Sequence, residues 1–237
     1  MNKTKTILFG GSSGIGEATA ARLLALGHEI VILGRDPARL EAARTRLGGA
    51  IETAQVDATD RQAVAAFFAA CGPFDHLILC VSGGKGAGPF RELALDEVRA
   101  SFDLKFMAQA QVAQLALATL RPTGSITFVT AISGRTAVPG TAGLAATNSA
   151  LEAMARTLAR ELAPLRINAV SPGIIDTPYW DRVPEKTRQA LLEQAAADLP
   201  VGRVGRADDV AQAIVLVVDN TFMTGTVIEV DGGAHLR

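Results

Sequence analysis

Aromatic hydroxyl and indole groups are nearly absent from this chain: 237 residues hold one tyrosine and one tryptophan, Tyr179 and Trp180, side by side. Between residues 122 and 166 there is neither a tyrosine nor a lysine. A phenol or an ammonium group needed for chemistry must therefore come from outside that stretch. Cysteine is scarce as well. Cys71 and Cys80 each sit among apolar neighbours, which reads as two buried free thiols rather than a disulfide scaffold. No cluster of cysteines and histidines has metal-ligand spacing, so no metal site is expected. An excess of charge of either sign is missing: 23 basic against 24 acidic residues give a formal charge of −1, which leaves no basic footprint for nucleic acid. Long apolar runs are missing too. No stretch of about 18 apolar residues offers a membrane span, and the opening MNKTKTILFGG has an apolar run of only three residues, too short for the core of a signal peptide. These absences point to a cytoplasmic protein that acts on a small-molecule substrate or ligand, with no nucleic-acid or membrane partner.

What is present is apolar material in a regular order. With 49% hydrophobic residues, a chain of this length can bury a core as one domain spanning residues 1–237. Short apolar runs predict strands at residues 6–9, 29–33, 51–55, 76–81, 125–130, 166–170 and 227–230. Helical periodicity between them predicts helices at 14–26, 37–47, 61–70, 96–120, 144–163 and 207–218. Strands alternating with helices imply an α/β fold, a doubly wound parallel sheet of seven strands with helices on both faces. Residues 177–204 break the alternation, being polar and holding both Tyr179 and Trp180. Ligands of doubly wound sheets bind beyond the carboxyl ends of the strands, so an insertion there suits a lid or substrate lobe.

The first motif is ILFGGSSGIGEATAARLLALG. Gly10, Gly14 and Gly16, with Ser12, Ser13 and Ile15 between them, follow a strand and open a helix. Such a turn lets backbone amides approach a pyrophosphate and aims the helix start at it. Three glycines can equally make a plain strand-to-helix turn. Taken with GSITFVT, RINAVSPGIIDTP, VGRADDVA and TGTVIEVDGG, the spacing GxxxGxG resembles the short-chain dehydrogenase/reductase family, from about Lys5 to Gly233. The resemblance implies a single Rossmann-like domain, a bound nicotinamide dinucleotide, and a homodimer or homotetramer. Its interfaces would involve the two long helices and the carboxyl-terminal segment VIEVDGGAHLR.

Residue by residue, the resemblance implies a cofactor site. A carboxylate at the end of the second strand would accept from a ribose 2′-hydroxyl and repel a 2′-phosphate, but that position is Gly34. Arg35 follows it, and a guanidinium there can make charge-assisted bonds to phosphate. NADP(H) is thus expected in preference to NAD(H), unless Arg35 is merely a solvated residue ahead of a helix capped by Asp36. Asp57, followed by Ala58, matches the family aspartate that accepts from the adenine amino group. Val81 and Ser82 fall where the family has an asparagine-rich turn, and backbone contacts can survive that change. Pro172 and Gly173 turn the chain after the sixth strand, while Ile175 and Thr177 match positions that meet the nicotinamide carboxamide.

The catalytic positions depart from the family pattern. That pattern uses a tyrosine as general acid or base, a lysine one helical turn later, a serine at a strand end and an asparagine that orders water. Here Leu144 stands at the tyrosine, Asn148 at the lysine, Ala131 at the serine and Lys105 at the asparagine. Lysine and asparagine are exchanged between two helices, which suggests Lys105 and Asn148 as surrogates supplying charge to the ribose. The plain alternative for Lys105 is a solvated helix lysine paired with Asp103. Thr130 and Ser133 flank Ala131, yet strand alternation points them away. Tyr179 and Trp180 could stack on nicotinamide or substrate, or simply anchor the lid. Three functions remain open: an NADP-dependent carbonyl/alcohol oxidoreductase with an unusual proton donor, an NADP(H)-binding sensor or partner subunit without turnover, and a non-redox isomerase or lyase on the same scaffold.

Overall fold

A computed structural model describes residues 3–236. Met1, Asn2 and Arg237 lie outside the described residues, and with them the two ends of the expected domain and the last residue of VIEVDGGAHLR. The seven sheet strands are β1 (Lys5–Phe9), β2 (Glu29–Gly34), β3 (Glu52–Gln55), β4 (Phe74–Leu79), β5 (Leu120–Val129), β6 (Arg166–Pro172) and β9 (Val227–Val230), ordered β3-β2-β1-β4-β5-β6-β9. Every neighbouring pair is parallel. Two short strands, β7 (Ile175–Asp176) and β8 (Gly205–Arg206), pair with each other outside the sheet.

The chain first builds outward from β1 to β3, then returns to place β4 on the other side of β1. That reversal opens a crevice at the carboxyl ends of β1 and β4, the usual place for a ligand in this architecture. Both faces are covered, so strands alternate between two apolar layers. In β1, Ile7 and Phe9 pack into one core while Leu8 packs into the other; in β2, Val31 and Leu33 oppose Ile30 and Ile32. The helices α1 (Gly14–Ala25) and α8 (Ala207–Asp219) cover one face, supplying Ala20, Leu23, Val210 and Ile214. The helices α3 (Arg61–Cys71), α5 (Ala108–Ala116) and α6 (Ala142–Glu161) cover the other, supplying Phe68, Val112 and Leu151.

Helix starts follow local chemistry. Asp36 caps α2 (Pro37–Arg46) by accepting from Ala38 N and Arg39 N, with Pro37 at the first helical position. Asp60 caps α3 through Gln62 N and Ala63 N.

Two expectations need correction. The helix read at 96–120 is not continuous: α4 (Leu95–Ser101) passes into a π-helical turn, Phe102–Met107, before α5, and Leu120 already belongs to β5. Apolar periodicity cannot see the one wide turn, and the apolar end of α5 runs without a breaker into the strand. The polar segment 177–204 contains a helix of its own, α7 (Glu185–Asp198). Its mixed polar surface gave no periodic apolar stripe to read.

At the amino ends of the strands, away from the crevice, the rings of His28 and His76 stack with centroids 5.9 Å apart. His76 Nδ1 is 2.8 Å from Ser125 Oγ, and His28 Nδ1 is 2.9 Å from Thr6 Oγ1. Burial, then the neighbouring His28, pushes the His76 imidazole down to about 4 from 6.5, and burial also lowers His28. The unfolded chain therefore binds more protons than the folded one between pH 6.5 and about 4. The stability carried by the neutral His76, on the order of 3 kcal/mol, should be lost as pH drops through that window, and below it Asp209, held down to about 2 by the Arg203 guanidinium, continues the decline. Urea denaturation across the window checks this: a His76→Gln variant should show a flatter profile than the wild type.

Candidate functional site

The crevice is a cleft of about 1120 Å³ running along the carboxyl ends of β1 to β6. That exceeds the roughly 300–1,000 Å³ of ordinary small-molecule pockets and leaves room for an extended ligand beside a second molecule. Along one side runs the glycine turn. Gly10 and Gly14 have φ of 79° and 54°, conformations that side-chain-bearing residues avoid. A Cβ on Gly10 would stand 2.7 Å from the Cys80 carbonyl oxygen, and one on Gly16 would overlap the Gly10 carbonyl. The backbone is thus packed too tightly here for any side chain. Ser13 precedes α1 in extended conformation and makes no side-chain cap, so the first-turn amides of α1 have no side-chain partner from it. A helix start of this kind is fitted to an anion. Ser12, Ser13 and Ile15 all line the cleft.

Beyond β2, Arg35 is exposed at the cleft wall, and its guanidinium has no hydrogen bond or ion pair among the described residues. Arg39, missed in the sequence, lines the cleft one helical turn further on, its Nε 3.6 Å from Asp36 Oδ2. The signal was there in RDPAR, two arginines four positions apart. Asp36 is occupied as the cap of α2, so its carboxylate is held at a helix start. Asp57 accepts on Oδ1 from Thr59 N and Thr59 Oγ1, while the cap of α3 falls to Asp60. Ala58 lines the cleft, its carbonyl tied to Gln111 Nε2. The Val81 carbonyl accepts from Gln109 Nε2 at 2.9 Å, which ties the exit of β4 to the exit of β5 through Val129 O. Ser82 is exposed at the rim.

Pro172 and Gly173 turn the chain where a Cβ on Gly173 would meet Asp231 Cα at 2.7 Å. Ile175 lines the cleft but is also part of the core, 6% exposed. Thr177 closes over the glycine turn: a Cβ on Gly14 would lie 3.2 Å from its Cβ. Trp180 Nε1 donates to Ile175 O at 2.9 Å, so the indole anchors its own segment. The Arg182 guanidinium lies 3.9 Å over the Tyr179 ring and donates to Gly84 O at 3.3 Å.

Across the β1–β4 reversal from Arg35, the structure brings Lys105 and Asn148 together. Lys105 is not a solvated lysine paired with Asp103. It is 8% exposed on the π-helical turn, and Nζ donates to Asn148 Oδ1 at 2.7 Å and to Thr130 O at 3.0 Å. Asn148, 2% exposed on α6, donates from Nδ2 to Leu144 O at 2.9 Å and to Ser133 Oγ at 3.1 Å. Burial pushes the Lys105 ammonium down to about 8, the nearby Glu152 carboxylate opposing the shift. Burial also pushes the Cys80 thiol up to about 12, which leaves it protonated and inert near neutral pH.

Ser133 corrects another expectation. Strand alternation stops at Val129, and Ile132–Gly134 form a single 3-10 turn. The turn lies against α6, where Ser149 Oγ donates to Gly134 O at 2.9 Å. Ser133 therefore faces Asn148 instead of pointing away. Leu144 and Ala131 both line the cleft and offer no proton. Thr130 Oγ1 donates to the buried Glu152 at 3.2 Å, and Glu152 pairs with Arg135 at 2.9 Å. Arg135 in turn reaches Glu229, which lies 3.2 Å from His235. No helix among the described residues is long and apolar enough to cross a membrane.

A doubly wound sheet, a glycine turn feeding a helix start and a cleft at the strand reversal define a dinucleotide-binding class of protein. Comparison with known proteins narrows this. The family model described as enoyl-(acyl carrier protein) reductase matches residues 10–235. The chain is similar to the short-chain dehydrogenase/reductase ATR9 of Stachybotrys chlorohalonatus, 30% identical over 98% of this chain and 96% of that one. It is also similar to the crystal structure of a small-chain dehydrogenase in complex with NADPH, at 34% identity, TM-score 0.86 and full coverage of both chains (100% of each). A short chain oxidoreductase of Pseudomonas aeruginosa PAO1, described as containing an atypical catalytic center, matches at 28% identity and TM-score 0.88 over 98% of this chain and 97% of that one. The chain belongs to the short-chain dehydrogenase/reductase family.

Because Asn148 supplies one of two acceptors for a buried ammonium, Asn148→Leu should lower the unfolding free energy by about 1–3 kcal/mol at pH 7. The loss should shrink as pH rises through about 8, where Lys105 gives up its proton. Urea denaturation at pH 7 and pH 9.5 measures both.

Proposed function

We propose that this protein is an NADP(H)-dependent oxidoreductase of carbonyl compounds or alcohols with a non-standard active site. The observation that carries the reading is the Lys105–Asn148 pair, buried and hydrogen-bonded at 2.7 Å in the same cleft that Arg35 and the glycine turn line. The bound cofactor would supply the hydride. The glycine turn and the start of α1 would hold the pyrophosphate, and Arg35 with Arg39 would clamp a 2′-phosphate. Asp57 keeps Oδ2 free among the described residues to accept from adenine. Lys105, with one N–H left over after its two bonds among the described residues, would donate to the ribose hydroxyls and set positive charge beside them. Asn148 holds that ammonium in place. The neighbour bound to NADPH and the relative with an atypical centre support the cofactor and the departure from the usual residues respectively.

Residues 177–204 act in this reading as a lid, latched by Arg182 on Gly84 O. The domain is one unit over residues 1–237. Exposed Met107 and Leu117 on the helical run beside α6 favour a homodimer or homotetramer through that face. Leu144 favours a second reading, an NADP(H)-binding sensor without turnover, since leucine transfers no proton.

Fluorescence titration should show NADPH binding at least tenfold tighter than NADH. Arg35→Ala should weaken NADPH by about 10- to 100-fold, the worth of a charge-assisted hydrogen bond, with little effect on NADH. NADPH affinity should decline as pH rises through about 8, and Lys105→Met should bind more weakly with that decline removed. Equal binding of both cofactors would refute the Arg35 assignment. Tight NADPH binding with no oxidation by any of a panel of ketones, aldehydes and quinones would favour the sensor.

A further inference from the structure

Reducing a carbonyl builds negative charge on its oxygen, and a hydrogen-bond donor must meet that oxygen. Four hydroxyls line the cleft on the β5–α6 side: Thr130, Ser133, Thr136 and Thr141. Three have spent their hydrogens. Thr130 Oγ1 faces Glu152 and Val170 O, Thr136 Oγ1 donates to Ile132 O at 3.2 Å, and Thr141 Oγ1 donates to Val138 O at 2.7 Å. Ser133 differs. Its Oγ accepts from Asn148 Nδ2 at 3.1 Å, and its own hydrogen has no acceptor among the described residues.

We propose that Ser133 is the catalytic hydrogen-bond donor to the substrate carbonyl oxygen, oriented by Asn148 and Lys105 as positioning residues. This rests on the oxidoreductase reading above. The chain Lys105 Nζ to Asn148 Oδ1, then Asn148 Nδ2 to Ser133 Oγ, runs from a cation toward the cleft in one direction. Each donation polarises the next, so the Ser133 hydrogen is a stronger donor than that of an isolated alcohol. The clamp of Gly134 on Ser149 Oγ fixes the turn that carries it. A bound reduced cofactor would supply hydride to the substrate carbonyl carbon, with the C=O π pair moving onto oxygen. Ser133 Oγ–H hydrogen-bonds to that developing oxyanion without losing its proton. The oxygen then takes a proton from water, releasing hydroxide to the solvent buffer. With Leu144 lining the same cleft as this donor, the substrate class is a ketone or dione whose carbonyl flank is apolar.

The test uses 9,10-phenanthrenequinone as an activated dione probe with the full-length protein. NADPH affinity is measured first by fluorescence, and should be unchanged in Ser133→Ala. The kcat for the dione should fall by about 100-fold in Ser133→Ala, the usual cost of an oxyanion donor, and recover largely in Ser133→Thr. Independently of turnover, difference infrared spectroscopy of the dione bound with NADP+ should show a carbonyl stretch at lower frequency in wild type than in Ser133→Ala. An identical stretch in the two proteins, or kcat values within about twofold, a change worth only ~0.4 kcal/mol, overturns the Ser133 proposal. NADPH binding with neither dione turnover nor a Ser133-dependent stretch overturns it too, while leaving the cofactor reading in place. Failure to bind NADPH overturns that reading itself.

Discussion

A buried ammonium must be given acceptors, and the cost of denying them shapes this cleft. Lys105 has two, a strand-end carbonyl at Thr130 and an amide oxygen at Asn148. Meeting that demand ties three elements together: the π-helical turn, the end of β5 and the first turns of α6. Asn148 is then oriented, since its oxygen faces the cation and its nitrogen must find acceptors of its own. Those acceptors are Leu144 O and Ser133 Oγ, which locates the 3-10 turn against α6. The chemistry of one side chain thus propagates to a hydroxyl it does not touch.

Charge balance extends the same logic behind the cleft. Glu152 is 4% exposed, and a carboxylate so placed requires a cation; Arg135 provides it and is itself shared with Glu229. A buried pair of this kind is weak evidence for stability but strong evidence for a fixed arrangement, because removing either partner strands the other. Here it pins the residue two positions after Ser133 to the helix that carries Asn148.

The strands and most helices were legible because their signals are local and periodic. Short continuous apolar runs gave β1 and β2, glycines gave the turn into α1, and Asp36 with Pro37 gave the start of α2. The exchange of lysine and asparagine between positions 105 and 148 was also visible, since it is a matter of residue identity in known places. What stayed hidden depends on geometry that no period encodes. The π-helical turn, the fold of α7 and the direction of Ser133 are each decided by what packs against them. Ser133 was misjudged because alternation was carried past the end of β5 into a turn where it has no meaning. Arg39 was overlooked for the opposite reason, since its spacing from Arg35 was plain and its cleft-facing position was not.

The wide turn at Phe102–Met107 has a bearing on how this chain relates to others of its length. A π turn is, in effect, an α-helix into which one extra residue has been admitted. Each residue of an α-helix rotates the next by about 100°, so everything on one side of the insertion is turned relative to the other. The face that α4 presents and the face that α5 presents therefore cannot be changed independently of chain length. A deletion of one residue here would relax the backbone and at the same time swing the Lys105 position around the helix axis. Single-residue length variation, more than substitution, is the move that would dismantle this cleft.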